Sequence, residues 1–148
     1  MQVGERIRQA RKHRGMTQRE LGLKAGFPEK SADTRIAQYE IGARVPKKGV
    51  RDKIAEVLDI NPRYLYDSDI YSVEDIMFML FEIDEHYFLR LTPGKDDGQK
   101  VIKMNVQFIP LNNLLEDWMK KKQEYLNDKI SKDEYMEWKL HWPDSAEQ

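Results

Sequence analysis

The sequence predicts a mainly α-helical protein built from two regions. Residues 1–68 have the pattern of five short helices, and residues 69–148 that of a small α+β region with one helix, a β-hairpin and two further helices. Apolar residues recur every three or four positions through most of the chain, one segment alternates apolar and polar residues, and the charge changes sign near residue 66. A chain of 148 residues can hold one ordinary domain or two small ones.

Punctuating residues separate the helices of the first region. Gly15 ends the first helix, and Thr17 followed by Glu20 is a capping box that opens the second. Gly26 suits the left-handed residue after a helix. The apolar positions are Val3, Ile7 and Ala10 in the first helix and Ile36 and Tyr39 in the third. They are Val50, Ile54, Val57 and Leu58 in the fourth helix and Leu65 in the fifth. Tight turns between five helices predict an all-α bundle.

The second region begins with a helix of unusual character. Ser72 and Asp75 resemble another cap, and a seam with alternating spacings of three and four follows: Val73, Ile76, Leu80, Ile83 and Tyr87. Residues 77–81 are apolar on the remaining faces, so we expect the middle of this helix to be buried on several sides. The seam is consistent with a dimer interface or with an ordinary core inside one chain.

A hairpin and two helices complete the second region. The segment PGKDDGQ is a turn between two strands, and the second strand alternates Ile102, Met104, Val106 and Phe108 with polar residues. Pro110 opens a long helix. Ser131 and Glu134 cap a last helix, which carries Tyr135, Trp138 and Trp142.

The charge is divided unevenly along the chain. Residues 1–66 carry 15 Lys or Arg against 8 Asp or Glu, a net charge of +7, whereas residues 67–148 carry 10 against 18, a net charge of −8. A basic region attracts a polyanion such as a nucleic acid, and an acidic one repels it.

The composition excludes several classes of protein. The chain has no Cys, so it has neither disulfides nor thiolate metal ligands. Its longest apolar run is the six residues 76–81, far below the roughly 20 that span a bilayer. The charged N-terminus lacks the apolar core of a signal peptide. We therefore expect a cytoplasmic protein without a membrane partner.

No residue pattern indicates catalysis or a cofactor. The histidines His13, His86 and His141 lack the paired spacing of zinc ligands, and neither an HExxH motif nor a glycine-rich phosphate loop is present. Asp84, Glu85 and His86 are consecutive on a predicted helix, so their side chains diverge and cannot hold one ion. We expect a protein that is not an enzyme, with no cofactor and no metal.

The first region resembles a known DNA-binding family. The segments TQRELGLKAG and RIAQYEIGARVP resemble the helix-turn-helix of the Cro and phage-repressor type, the xenobiotic-response-element (XRE) family. The elements that carry the resemblance are Thr17, Gln18, Leu21, Ala25, Gly26, Ile36, Tyr39, Glu40, Gly42 and Pro46. The resemblance covers residues 1–66 and implies a five-helix domain whose third helix, around residues 32–41, enters the DNA major groove.

Two departures from the family pattern affect the alignment. Gly22 stands where the family usually has Ala. Gly26 and Ile36 are ten positions apart, four more than usual, so Phe27, Pro28, Glu29 and Lys30 form a longer turn. We therefore align the family's contact positions from Ile36.

The resemblance implies the following DNA-binding residues: Thr17, Gln18, Arg19, Lys30, Ser31, Asp33, Thr34, Arg35, Gln38, Arg44, Lys47 and Lys48. Gln38 suits adenine, Thr34 a base edge, and the lysines and arginines suit phosphates. Asp33 either accepts a bond from cytosine or caps the helix. We expect Glu40 to bond within the protein, because DNA would repel its charge.

The resemblance also implies a partner arrangement. Regulators of this type read palindromic double-stranded DNA as homodimers, so we expect a transcriptional regulator, a repressor, that dimerises through residues 69–148. That region is also where a protein or small-molecule effector would bind. An alternative is a protein-interaction module, such as an antitoxin whose acidic half binds a partner protein.

Overall fold

The elements of the computed structural model, which describes residues 2–66, 70 and 72–145, follow the predicted order. The mainly helical fold with one hairpin is confirmed. The elements are α1 (Val3–His13), α2 (Gln18–Lys24), α3 (Ala32–Glu40), α4 (Lys48–Leu58), a 3₁₀ helix (Pro62–Leu65), α5 (Val73–Tyr87), β1 (Leu89–Asp96), β2 (Gln99–Val106), α6 (Ile109–Leu126) and α7 (Lys132–His141). The chain divides into two units, residues 1–68 with 130–148 and residues 69–129.

The core of the first unit takes apolar side chains from every helix of the predicted bundle. The largest fully buried side chains of α1 to α4 and the 3₁₀ helix are Ile7, Leu21, Ile36, Ile54, Leu58 and Leu65. The predicted capping box of α2 is present: the Thr17 hydroxyl accepts a bond from the Glu20 N–H at 3.1 Å, and the Glu20 carboxylate accepts one from the Thr17 N–H at 2.7 Å. Local caps and a shared apolar core thus define this bundle.

Helix α7 also belongs to the first unit. We expected all of residues 69–148 to belong to the second region. Leu140 of α7 is fully buried and Met136 nearly so, both in the core cluster of the first unit. The Leu140 carbonyl accepts a bond from the Asn61 N–H at 2.9 Å, and the Asn61 amide donates to the Trp142 carbonyl at 2.7 Å. The last helix is therefore part of the helical bundle, and only residues 69–129 form the separate second unit.

A carboxylate reinforces the attachment of α7. Glu137 accepts a bond from the Arg14 guanidinium at 2.7 Å, and its Oε2 lies 2.7 Å from His13 Nε2. These interactions, Arg14 first, lower the pKa of Glu137 from 4.5 to about 2. Because the pKa is depressed in the folded state, the stabilisation is present above about pH 4.5 and is lost as the pH falls towards 2.

The hairpin of the second unit has a tighter turn than predicted. Strands β1 and β2 pair antiparallel from Leu89 opposite Val106 to Asp96 opposite Gln99, so the pairing runs through most of the segment expected to be the turn. Only Asp97 and Gly98 remain as the turn, with φ angles of 44° and 81°. Asp-Gly is favoured in two-residue turns because both positions require positive φ.

We expected the middle of α5 to be buried on several sides, and for a single chain this prediction is wrong. No residue of α5 is buried, and Val73 and Phe78 are 72% and 71% exposed. Helix α6 likewise has no buried residue. A two-stranded sheet provides too little surface to cover two apolar helices, so the apolar side chains of this unit remain open to solvent.

We predict that Leu140→Ala weakens the first unit, although residue 140 lies far along the chain from the helix-turn-helix segment. Truncating a fully buried leucine removes apolar contacts and leaves a cavity, which costs about 2–5 kcal/mol of unfolding free energy. Urea unfolding of the full chain, followed by circular dichroism, measures this cost. The exposed control Val45→Ala should change it by less than about 0.5 kcal/mol. Equal effects of the two changes would contradict the placement of α7.

Candidate nucleic-acid interface

Helices α2 and α3 approach each other unusually closely, and Gly22 makes this possible. A Cβ at residue 22 would lie 2.3 Å from the carbonyl oxygen of Ala32. Both Gly22 and Ala32 are buried. The glycine at a position where the resemblance led us to expect Ala is therefore explained by packing, since the start of α3 rests directly on α2.

A buried ion pair holds the C-terminal end of α3. The Arg11 guanidinium donates two bonds to the Glu40 carboxylate, at 2.5 and 3.0 Å, and the Gln18 amide donates a third at 2.9 Å. The side chain of Glu40 is only 3% exposed. Glu40 thus bonds within the protein, as expected, and one carboxylate connects α1, α2 and α3.

The longer turn before α3 is fastened at both of its sides. The Phe27 ring packs near Tyr39, with ring centroids 6.2 Å apart. Arg19 donates to the Glu29 carboxylate at 2.7 Å. The Ser31 N–H donates to the Pro28 carbonyl at 2.9 Å, which closes the turn just before α3 begins. The four extra residues therefore form a turn that is held by contacts with α2 and α3.

The outer face of α3 presents polar side chains. Ala32, Ile36 and Tyr39 point into the core, whereas Asp33 and Thr34 are exposed and Gln38 is half-buried. Thr34 and Gln38 are four positions apart, so they lie one turn apart on the same face of the helix. A helix fixed on one side and polar on the other can present hydrogen-bonding groups to a partner.

Two candidate residues have other surroundings than expected. Ser31, not Asp33, is the N-cap of α3, so capping by Asp33 is wrong. Asp33 lies in the first turn, where its carboxylate accepts from the Thr34 hydroxyl at 3.5 Å. Gln18 is half-buried and its amide already bonds Glu40, so this side chain positions helices in the structure described.

The remaining basic candidates lie around α3. Lys30 is exposed in the preceding turn, Arg35 is half-buried on α3, and Arg44 and Lys47 are exposed in the segment that follows. The Arg44 N–H donates to the Gln38 carbonyl at 3.2 Å, which folds this segment back against α3. Lys48 pairs with Asp52 at 2.7 Å, and this hydrogen bond raises the pKa of Lys48.

The outer face of α3 also includes apolar residues that the sequence analysis did not select. Ile41 is 77% exposed directly after α3, and Ala37 is half-buried. Residues 34, 37 and 41 are spaced by three and four positions, so they share one face. This spacing from Thr34 is the sequence pattern from which Ala37 and Ile41 could have been selected.

Helix α2 packs across α3, and α3 presents a polar outer face. This is the geometry of a helix-turn-helix. Residues 4–68 match the model of a family described as "Helix-turn-helix domain". The helix-turn-helix resemblance seen in the sequence is thus confirmed over this part of the chain.

A chain described as "Crystal structure of transcriptional regulator BswR" is 27% identical, with a TM-score of 0.43, over 57% of this chain and 94% of its own. No curated protein matches the chain.

Among residues 2–66, 70 and 72–145, no three His, Cys, Asp or Glu side chains come together in a way that could hold a metal ion. Within the same residues, no helix is both long enough and apolar enough to cross a membrane.

We predict that Gly22→Ala destabilises the first unit, because the added methyl group forces α2 and α3 apart. Overpacking of this kind costs roughly 1–3 kcal/mol of unfolding free energy. The matched control is Gly49→Ala in α4, where a Cβ meets nothing within 4 Å. Because nothing obstructs the added methyl group, that change should not lower the unfolding free energy by more than about 0.5 kcal/mol. Chemical denaturation of both variants checks the pair, and a Gly22→Ala protein as stable as the parent would contradict the close contact.

Proposed function

We propose that this protein is a sequence-specific transcriptional regulator that reads the DNA major groove with α3. The observation that carries the proposal is the outer face of α3, with Asp33, Thr34 and Gln38 turned away from a core that holds Ile36 and Tyr39. Asn and Gln side chains pair with adenine, and a threonine hydroxyl or methyl suits several base edges. The helix-turn-helix match over residues 4–68 supports the same role.

The basic residues would contact phosphates, whereas the outer face of α3 would contact bases. Lys30, Arg44 and Lys47 are exposed on either side of α3 along the chain, where they would contact phosphates. Ile41 and Ala37 would contact thymine methyl groups. The paired Lys48 and Arg19 must exchange Asp52 and Glu29 for phosphate, so we expect smaller contributions from them.

We further propose that the protein binds palindromic DNA as a homodimer and acts as a repressor. One helix-turn-helix covers a single half-site, and two copies related by a twofold axis match half-sites about 10 base pairs apart. In the second unit none of the described residues is buried. Seam residues such as Ile76 and Tyr87, 41% and 43% exposed, are therefore available to a second copy. A dimer bound over a promoter excludes other proteins from the same DNA.

We predict that Gln38→Ala and Lys47→Ala have different signatures on the sequence that the protein selects. Loss of a bidentate base contact costs about 1–3 kcal/mol and relaxes the preference at one base pair per half-site. Loss of a phosphate contact weakens binding to all sequences similarly and reduces the salt slope by about one unit for each half-site. Fluorescence anisotropy with single-base operator variants, measured at several salt concentrations, separates the two effects.

Neighbouring residues at the hairpin tip supply matched controls. Gln99→Ala and Lys100→Ala remove the same side-chain types from the second unit and should leave both the preference and the salt slope unchanged. If all four variants bind alike, α3 is not the reading helix. A folded protein without any sequence preference would favour the protein-interaction module instead.

A further inference from the structure

Two of the three histidines of the chain lie where α7 meets the rest of the first unit. His13 ends α1, and its side chain is only 13% exposed. His141 ends α7, and its side chain is 33% exposed. The third histidine, His86, is exposed on α5, where its ring bonds the Glu82 carbonyl of the same helix at 2.9 Å. His13 and His141 therefore share a location that His86 does not have.

Each of these two rings has a carboxylate near both of its nitrogens. For His13, Nε2 lies 2.7 Å from Glu137 Oε2, and Nδ1 lies 3.8 Å from Asp133 Oδ1. For His141, Nδ1 lies 3.2 Å from Glu137 Oε1, and Nε2 lies 3.4 Å from Asp59 Oδ2. The two rings thus share Glu137, and each has a second carboxylate on its far side.

This arrangement suits protonated rings better than neutral ones. A neutral imidazole has one N–H donor, and its other nitrogen is an acceptor, whereas a protonated ring donates from both nitrogens. With a carboxylate at each nitrogen, a neutral ring turns one lone pair towards an anionic oxygen. Proton uptake replaces that repulsion with a second attraction. Histidine is the side chain that ordinarily changes its charge between about pH 5 and pH 8.

The charged groups that face the rings also favour proton uptake. They are the Arg14 guanidinium on α1, the Asp59 carboxylate after α4, and the Asp133 and Glu137 carboxylates on α7. One cation against three anions leaves a net charge of −2 while both rings are neutral, and two protonated rings bring it to zero. Glu137 keeps its charge across the neutral range, because its bonds, that to Arg14 first, lower its pKa to about 2.

We propose that His13 and His141 form a proton-dependent clasp, which holds α7 to α1 and to the end of α4 more tightly when both rings are protonated. In the unfolded chain His13 and Asp59 are far from the residues of α7, so only the folded protein gains these ion pairs. The folded state is therefore stabilised as the pH falls from about 8 to about 5.5, and the stabilisation is lost as the pH rises again.

The clasp acts on the second of the two attachments between the units. Residues 69–129 continue through α7 into the first unit, so the strength with which α7 is held decides how firmly that end is fastened. Protonation thereby provides a regulatory input to a helix that is distant in the sequence from the helix-turn-helix. This inference does not depend on which DNA, if any, the protein reads.

The test measures how the stability of the full-length protein responds to pH. Urea unfolding followed by circular dichroism gives the unfolding equilibrium constant at about pH 8 and about pH 5.5. We expect this constant to be lower at the acidic pH on the order of tenfold. The variant His13→Gln/His141→Gln keeps polar side chains that cannot take up a proton, so its response should disappear. The matched control His86→Gln should keep the response of the parent.

A second variant changes the carboxylates and leaves both rings in place. Asp59→Asn/Asp133→Asn removes two charges from side chains that are 85% and 90% exposed, so the fold is retained. Residue 59 has a φ of 50°, a conformation that Asn adopts readily. The pH response of this variant should fall to roughly threefold. Comparing responses rather than stabilities removes any effect of the substitutions that is independent of pH.

Other results overturn the clasp. If the double histidine variant responds to pH as the parent does, the response arises elsewhere in the chain. If the parent is equally stable at both pH values, or less stable at the acidic one, the rings gain nothing from their carboxylates in the folded state. If the Asp-to-Asn variant keeps the full response, the outer carboxylates do not hold the protonated rings.

Discussion

The position of α3 depends on one buried carboxylate. Glu40 binds the Arg11 guanidinium and the Gln18 amide, and Arg11 also donates to the Met16 carbonyl at 2.7 Å. A buried charge that lost these bonds would cost several kcal/mol, so the three helices meet in one arrangement. Gly22 permits the close approach at the other end of α3. Together the two contacts fix which face of α3 is turned outward.

The return of α7 to the first unit gives the molecule an unusual chain path. The second unit, residues 69–129, is attached at both of its ends to segments packed in the helix-turn-helix unit. Leu140 and Glu137 fasten the second attachment through apolar burial and through the bond to Arg14. A fragment ending near residue 68 would lack these contacts and would therefore be less stable than the first unit in the full chain.

Local signals in the sequence predicted local structure well. The sequence predicts the capping boxes at Thr17 and Ser131 because hydrogen bonds over three residues select particular side chains, and it predicts the hairpin although not the shortness of its turn. The sequence does not predict what α7 packs against: its most prominent side chains are aromatic, whereas Met136 and Leu140 are the buried ones. Contacts between residues distant in the sequence leave no local sequence pattern. Periodicity predicts which face of a helix is apolar, but it does not predict which element packs against that face.

The same reasoning applies to the interface. The alignment from Ile36 selected Thr34 and Gln38, which lie on the outer face of α3, and it did not select Ile41, which follows α3 and is exposed. It also could not show that Gln18 is already bonded to Glu40. Residue type indicates what a side chain can bind, but competition from neighbours within the fold decides which groups remain available.

The most direct test of this account is selection of bound duplexes from a random pool by the full-length protein at about 0.15 M salt. At this concentration phosphate binding without sequence preference is weak. The account predicts a palindrome with half-sites about 10 base pairs apart, and with Gln38→Ala the same palindrome with the preference relaxed at one base pair of each half-site. Recovery of no enriched sequence by folded protein would contradict it.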